Sequence, residues 1–151
     1  MKESVIKFVK DKLHKVWHIE NFRDLVFGCA ERYKKQTAFR LMENGKSVTV
    51  SFEDLCRDYR RLCSSFFEKG LEGASIAVMG KNSYAWALTY LAAATVGVAV
   101  PIDKELSGED IDHFLAEARC KAVIGDRKLL DRITKQEGVL YAATDEAQGE
   151  E

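Results

Sequence analysis

The residues whose types and spacing most resemble a ligand-binding loop are Gly80-Lys81-Asn82-Ser83, between a predicted buried strand and a predicted helix. Backbone N–H groups at such a turn can bind phosphate. The Gly-Lys pair also resembles the end of a P-loop, which needs a glycine five residues before that pair. Ser75 occupies that position, so the sequence favours a helix cap at Asn82 or Ser83 over a nucleotide site.

Histidines and carboxylates form no complete catalytic or metal-binding set. His14 and His18 are one helical turn apart, but the glutamate of a zinc-protease helix is missing between them. His113 is expected at the surface of a short helix. Five acids surround a loop and a helix start, where the helix dipole stabilises them without any catalytic role: Asp103, Glu105, Glu109, Asp110 and Asp112. We therefore predict no catalytic, cofactor-binding or metal-binding residues in this chain.

The four cysteines, Cys29, Cys56, Cys63 and Cys120, contain no CxxC pair. We recognise no signal peptide, so free buried thiols in a reducing cytosol are expected rather than disulfides. The predicted location is cytoplasmic.

Composition and charge are those of a soluble globular domain: 151 residues, 46% hydrophobic, 31% charged and a net charge of -1. This balance gives no reason to expect a nucleic-acid partner. The uncharged run at 83–102 is as long as a membrane span. However, its alanine and threonine content, Gly97 and Pro101 favour a buried helix followed by a buried strand.

The segment 1–20 predicts a basic amphipathic helix. One face is apolar and lysines occupy the rest, the apolar positions being Val5, Ile6, Val9, Leu13, Val16 and Trp17. Such a helix packs on its own protein or lies on a membrane surface, so peripheral membrane contact is the alternative.

Local signals place a helix and a hairpin next. Asn21 is a predicted N-cap, and Asn44-Gly45 is a favoured hairpin turn between strands at 37–41 and 47–50. Ser51 with Asp54 predicts the start of a long helix, which Gly70 ends.

From there strands alternate with helices. The predicted strands are 76–79, 98–100, 121–124 and 139–141, with Pro101 stopping the second. Ser107 and Asp126 are the predicted caps of the two later helices, the last of which turns Leu129, Leu130 and Ile133 inward. This order predicts an α/β fold with a mostly parallel sheet, helices on both faces and a small N-terminal hairpin. Residues 21–142 form the predicted subdomain, and 143–151 an acidic, frayed tail.

Several short segments, in order, resemble the opening subdomain of AMP-forming acyl-CoA ligases, the acyl-adenylating superfamily. The similarity extends from about Phe22 to Tyr141. Its first part rests on Ala30-Glu31-Arg32-Tyr33 before Thr37-Ala38-Phe39, and on residues 48–55, which are similar to the family's Thr-Tyr-x-Glu-Leu segment. Its second part rests on the Asn82-Ser83 turn and on residues 92–103, which end in the Pro101-Ile102-Asp103 turn. Ala74 and Ala85 depart from the aspartate and glutamate frequent in the family.

The resemblance implies a parent enzyme that activates a carboxylate with ATP and Mg²⁺ and transfers the acyl group to CoA. The basic first segment and the aromatic-rich start resemble fatty-acyl rather than amino-acid activating members, and the predicted substrate is a long-chain fatty acid. The family's phosphate loop, nucleotide-binding segments and C-terminal lid have no counterpart in the sequence. We therefore expect an N-terminal fragment that is scaffold, inactive alone and without cofactors of its own.

Two alternatives remain open from the residues. One is a free-standing, non-catalytic α/β interaction or regulatory module, and the other is a small nucleotide-binding protein of flavodoxin-like shape. A sheet without its remaining neighbours would expose edge strands, so a homodimer through those edges is also expected.

Overall fold

The computed structural model describes residues 17–43 and 45–145. The predicted basic helix lies outside these residues except for its last four positions, and 17–20 have no regular secondary structure. Asn44 also lies outside the described residues, as do residues 146–151 of the predicted tail.

The first elements among the described residues are a helix, a hairpin and a long helix, as the sequence predicts. These elements are α1 (Phe22–Tyr33), β1 (Thr37–Glu43), β2 (Lys46–Ser51) and α2 (Phe52–Glu68). Asn21 and Ser51 cap the two helices, because their side chains accept hydrogen bonds from the amides of Asp24 and Asp54 at 2.9 and 3.1 Å. Strands β1 and β2 pair antiparallel.

The end of α2 shows why Gly70 matters. Its φ of 69° lets the Leu71 amide reach the Phe66 carbonyl at 3.0 Å, and its own amide bonds the Phe67 carbonyl at 2.9 Å. These two bonds satisfy carbonyls at the helix end and direct Leu71 back onto Phe66, where both are buried. The predicted left-handed C-terminal glycine is confirmed.

The second half alternates strands and helices. Its elements are β3 (Ser75–Met79), α3 (Tyr84–Val96), β4 (Val98–Ile102), α4 (Gly108–Glu117), β5 (Ala122–Gly125), α5 (Arg127–Leu130) and β6 (Leu140–Ala143). The four strands form one parallel sheet in the order β4-β3-β5-β6. The predicted α/β fold with a parallel sheet and a small hairpin is confirmed.

The sheet separates two hydrophobic cores. Ile76 and Val78 of β3 face the layer formed by α1, α2 and α3. Ala77 and Met79 face the opposite layer, formed by α4 and α5. All four are fully buried, as the continuous apolar pattern of a covered parallel strand requires.

Pro101 does not stop its strand, contrary to the sequence expectation. Strand β4 continues through Pro101, which pairs with Val78, to Ile102. The amide of Val98 donates to the Ala74 carbonyl, so by alternation the amide position of residue 101 faces away from β3. Because β4 is an edge strand, a residue without an N–H is tolerated there.

Candidate functional site

The strand order creates a crevice at the carboxyl ends of β3 and β5. From β3 the chain goes to β4 on one side, then crosses to β5 on the other side. Open α/β sheets bind ligands at such a switch point. The residues that follow the two strands are Gly80-Lys81 and Asp126, so the loop singled out from the sequence does lie at the expected edge.

A carboxylate already occupies this crevice. Asp126 Oδ2 accepts a hydrogen bond from the Lys81 backbone amide at 3.0 Å, and its Oδ1 accepts one from the Thr144 hydroxyl at 3.0 Å. The φ of Gly80 is 152°, and a Cβ at this position would lie 2.9 Å from Asp126 Oδ1. The Asp126 side chain thus joins the ends of β3, β5 and β6.

The role of Asp126 differs from the sequence expectation. It stands at the N-cap of α5, but its side chain makes no capping hydrogen bond, because the carboxylate is engaged by Lys81 and Thr144. Helix α5 has only four residues, and Ile133 is buried beyond its end.

The crevice does not fit a phosphate group. The amide that a phosphate would use is donating to Asp126, and a second anion there would lie next to that carboxylate. The Ser83 hydroxyl accepts a hydrogen bond from the Trp86 amide at 3.1 Å and so caps α3. Ser83 is one of the two residues that the sequence predicted as the cap of this helix. The flavodoxin-like strand order is therefore present without a phosphate-binding turn.

The histidines and the clustered acids singled out from the sequence lie at the surface or stabilise loops and helix ends. His18 is exposed and 3.2 Å from Glu20, and His113 is exposed on α4; His14 lies outside the described residues. The acids cap or brace loops: Asp110 bonds Ser107, Asp103 accepts from the Glu105 amide, and Asp112 accepts from the Thr134 amide. Within 17–43 and 45–145, no three His, Cys, Asp or Glu residues are placed to hold a metal ion. The described residues therefore provide no such cluster for Mg²⁺, and the Lys81 amide is not available to a phosphate of ATP.

A second concave region lies among α1, α2 and α3, an open groove of about 660 Å³. At its base the Tyr59 hydroxyl donates to Thr95 Oγ1 at 2.8 Å, and Thr95 donates to the Leu91 carbonyl at 2.8 Å. Burial raises the pKa of Tyr59 to about 12, so its hydroxyl stays protonated at neutral pH. This is a hydrogen-bonded core contact and not a titrating base.

A charged network joins the starts of α2 and α3. Arg57 binds the carboxylates of Asp54 and Asp58, and the Tyr84 hydroxyl donates to Asp58 at 2.9 Å. Burial, followed by the hydrogen bond to Asp58, raises the pKa of Tyr84. Each group has a partner within the network, which positions the two helices.

All four cysteines carry free thiols. Cys63 and Cys120 are buried, and Cys29 and Cys56 are half-buried. Burial raises the pKa of all four thiols, which keeps them in the less nucleophilic protonated form.

The uncharged run at 83–102 divides between α3 and β4, as predicted. The expectation that this strand is buried is wrong, because β4 lies at the edge of the sheet, where Val98 is 56% exposed and Pro101 is exposed. None of the helices among the described residues is long and apolar enough to cross a bilayer.

The fold and the crevice define an α/β protein with a parallel sheet whose switch point is closed by a side chain. The model of the family described as "AMP-binding enzyme" matches residues 27–151, and the chain belongs to this family.

Curated relatives are acyl-CoA ligases by name. Over 97 residues the chain is 26% identical to the mitochondrial medium-chain acyl-CoA ligase ACSF2 of Rattus norvegicus and 28% identical to that of Bos taurus. Each alignment covers 63% of this chain and 15% of the relative, so the chain matches about a seventh of the relatives' length.

Solved structures share the fold. IdnL1 superposes with a TM-score of 0.73 and 15% identity over 84% of this chain and 26% of that one. Fatty acyl CoA synthetase of Mycobacterium tuberculosis has a TM-score of 0.70 and 20% identity over 82% of this chain and 26% of that one. The N-terminal subdomain of Klebsiella oxytoca NpsA has a TM-score of 0.69 and 15% identity over 85% and 32%.

Sequence reasoning missed the link between Asp126, Lys81 and Thr144. The available signal was weak: two short polar segments, each directly after a buried strand. The Tyr59–Thr95 hydrogen bond was also missed, because both residues read as ordinary members of helical faces.

Proposed function

We propose that this chain is the opening part of an AMP-forming acyl-CoA ligase, in which residues 21–142 serve as scaffold. Such an enzyme joins a carboxylic acid to CoA, converting ATP to AMP and pyrophosphate. The family match over 27–151 carries the proposal, and the names of the curated relatives support the acyl-CoA product.

The scaffold role is supported by the carboxylate in the crevice. Forming an acyl-adenylate needs hydrogen-bond donors, a metal ion or cationic side chains around the phosphates as charge develops. Here the Lys81 amide is used by Asp126, and the described residues provide no metal-binding cluster. The contribution of this region is then to hold strands and loops in place, with ATP, Mg²⁺ and CoA bound by other parts of the enzyme.

The proposed substrate is a fatty acid. The relatives' name favours a medium-chain acid, whereas the prediction from the sequence is a long-chain one. Octanoate and palmitate assayed side by side, with CoA and ATP, discriminate these two substrates by their kcat/KM values.

The test is acid-dependent pyrophosphate release by the protein encoded by the complete reading frame. Release that requires both a fatty acid and ATP, with acyl-CoA as product, supports the proposal. Absence of any acid-dependent release would favour the alternative, a non-catalytic interaction or regulatory module.

A further inference from the structure

Trp17, the first residue that the structure describes, is held against α1. The Arg32 guanidinium lies 4.2 Å from the centroid of its ring, and the centroid of the Tyr33 ring lies 6.5 Å away. A Cβ at Gly28 would lie 2.8 Å from the indole Nε1, so the lack of a side chain there lets the ring approach the helix. Because Asn21 caps the start of α1, residues 17–20 run back along this helix. The segment before Trp17 must therefore reach the second half of α1.

The indole N–H of Trp17 is buried and has no hydrogen-bond partner among the residues that the structure describes. A buried tryptophan N–H usually has such a partner. The last carbonyls of a helix have no partner within that helix, so a helix formed by residues 1–16 would present acceptors next to Trp17.

Residues 1–16 lie outside the described residues, and their sequence predicts an apolar stripe that needs a surface to cover it. The stripe consists of Val5, Ile6, Val9, Leu13 and Val16. As a helix, the stretch from Val5 to Val16 would be about 17 Å long. Helix α1, with 12 residues, is about 18 Å long, so the stripe and α1 match in length.

One side of α1 is apolar but only partly covered. Phe22 is 37% exposed and Leu25 is half-buried. At about 100° per residue, Leu25 lies between Phe22 and Gly28 around the helix. The Phe22 ring is 6.2 Å from that of Tyr90 on α3, and Tyr90 in turn stacks on Trp86 at 5.5 Å. We define the aromatic flank by these four residues: Phe22, Leu25, Trp86 and Tyr90.

We propose that residues 1–16 form a helix whose apolar stripe packs on the aromatic flank. Trp17 fixes the end of the segment beside this flank, and the lengths of the stripe and of α1 agree. The open groove at Phe27 lies on the other side of α1, since Phe27 is nearly opposite Leu25 around the helix. The inference goes beyond the proposed ligase function and does not depend on it.

Limited digestion of the full chain with trypsin tests the proposal, because the segment contains cleavage sites at Lys12 and Lys15. The measured quantity is the protection factor, the cleavage rate of a free peptide of residues 1–20 divided by the rate in the full chain. Using the same substitutions in the peptide removes the sequence preference of trypsin. We expect the V9S/L13S variant to lose about tenfold in protection, since cleavage follows the population of the open segment.

The matched control is K7S/D11S. Its two substitutions have the same four-residue spacing, leave the net charge unchanged and lie on the polar side of the predicted helix. The protection factor at Lys15 should equal that of the unmodified protein.

A second pair of variants tests the surface that receives the segment. Phe22→Ser changes the aromatic flank, whereas Phe27→Ser changes a residue of similar exposure, 40%, that faces Tyr59 of α2. We expect Phe22→Ser to lower the protection factor as V9S/L13S does, and Phe27→Ser to leave it unchanged. Urea unfolding midpoints of both variants check that the rest of the chain stays folded during digestion.

Four results would overturn the proposal: no protection in the unmodified chain, unchanged protection in V9S/L13S, equal loss in K7S/D11S, or loss in Phe27→Ser without loss in Phe22→Ser. Protection that falls on dilution would also contradict it, because the segment would then pack on a second copy. Sedimentation of the full chain with phospholipid vesicles, abolished by V9S/L13S, would assign the stripe to a bilayer and likewise contradict the proposal.

Discussion

The carboxylate of Asp126 accepts a hydrogen bond from the backbone amide of Lys81 at 3.0 Å, across 45 residues of chain. This contact joins the loops that follow β3 and β5, the two strands that meet at the switch point of the sheet. It places a carboxylate where related folds place a ligand.

Replacing Asp126 should destabilise the fold. Asp126→Ala removes the acceptor for the Lys81 amide and the Thr144 hydroxyl, and hydrogen bonds to a charged group each contribute about 1.5–3 kcal/mol. We expect a loss of about 2–4 kcal/mol in the free energy of unfolding by urea, and a smaller loss for Asp126→Asn. The control is Asp131→Ala, an exposed acid at the end of the same helix. Equal unfolding midpoints for D126A and D131A would refute this role.

Gly80→Ala tests the same contact from the other side. The φ of 152° is rarely adopted by L residues, and the new Cβ would lie 2.9 Å from Asp126 Oδ1. The expected cost is about 1–3 kcal/mol of stability. In the D126A background the cost of Gly80→Ala should be smaller, because the clash with the Asp126 side chain is removed. Part of the cost should remain, because the backbone strain at residue 80 is still present. Strictly additive losses would show that the two residues do not interact.

The Tyr59–Thr95 hydrogen bond predicts a pH dependence. Burial raises the pKa of Tyr59 from 10.0 to about 12, so between these values the folded state keeps a proton that the unfolded state loses. Stability from this group is therefore complete below pH 10 and falls as the pH rises toward 12. Tyr59→Phe should lower stability at pH 8 by about 1 kcal/mol and flatten the loss above pH 10. Identical pH profiles for the two proteins would contradict the assignment, because Tyr84, whose pKa is also raised, contributes to both profiles alike.

The edge strands β4 and β6 have no further partner strand among the residues that the structure describes, which predicts self-association. The Leu140 amide donates to the Lys121 carbonyl and the Thr144 amide to the Gly125 carbonyl, so by alternation the amide of Ala143 points away from β5. We expect a concentration-dependent dimer by light scattering, weakened by Ala143→Pro and retained by Ala143→Val, which keeps the donor. A monomer at all accessible concentrations would exclude pairing through this edge. Pro101 makes the opposite edge, β4, a poorer partner.

The features that the sequence predicted are those with local causes. The caps at Asn21, Ser51, Ser83 and Ser107 each depend on an amide three residues away, and Gly70 ends its helix through bonds to its own last turn. The parallel strands followed from continuous apolar runs, and β3 and β5 are buried as such runs indicate.

The predictions that were wrong concern residues whose conformation or hydrogen bonds depend on parts of the chain that are distant in sequence. Pro101 continues its strand because β4 lies at an edge, a property of the strand order and not of the neighbouring residues. The residues next to Asp126 in sequence predict a helix cap, yet its carboxylate accepts hydrogen bonds from the Lys81 amide and the Thr144 hydroxyl. The absence of a phosphate-binding glycine could be read from Ser75, but the group that fills the crevice could not.

The most direct test of the scaffold role compares pyrophosphate release from ATP by two proteins: this chain of 151 residues and the protein encoded by the complete reading frame. With a fatty acid and CoA present, we predict acid-dependent release by the second protein and none above background by the first. Sustained acid-dependent turnover of ATP by the purified 151-residue chain would contradict the account.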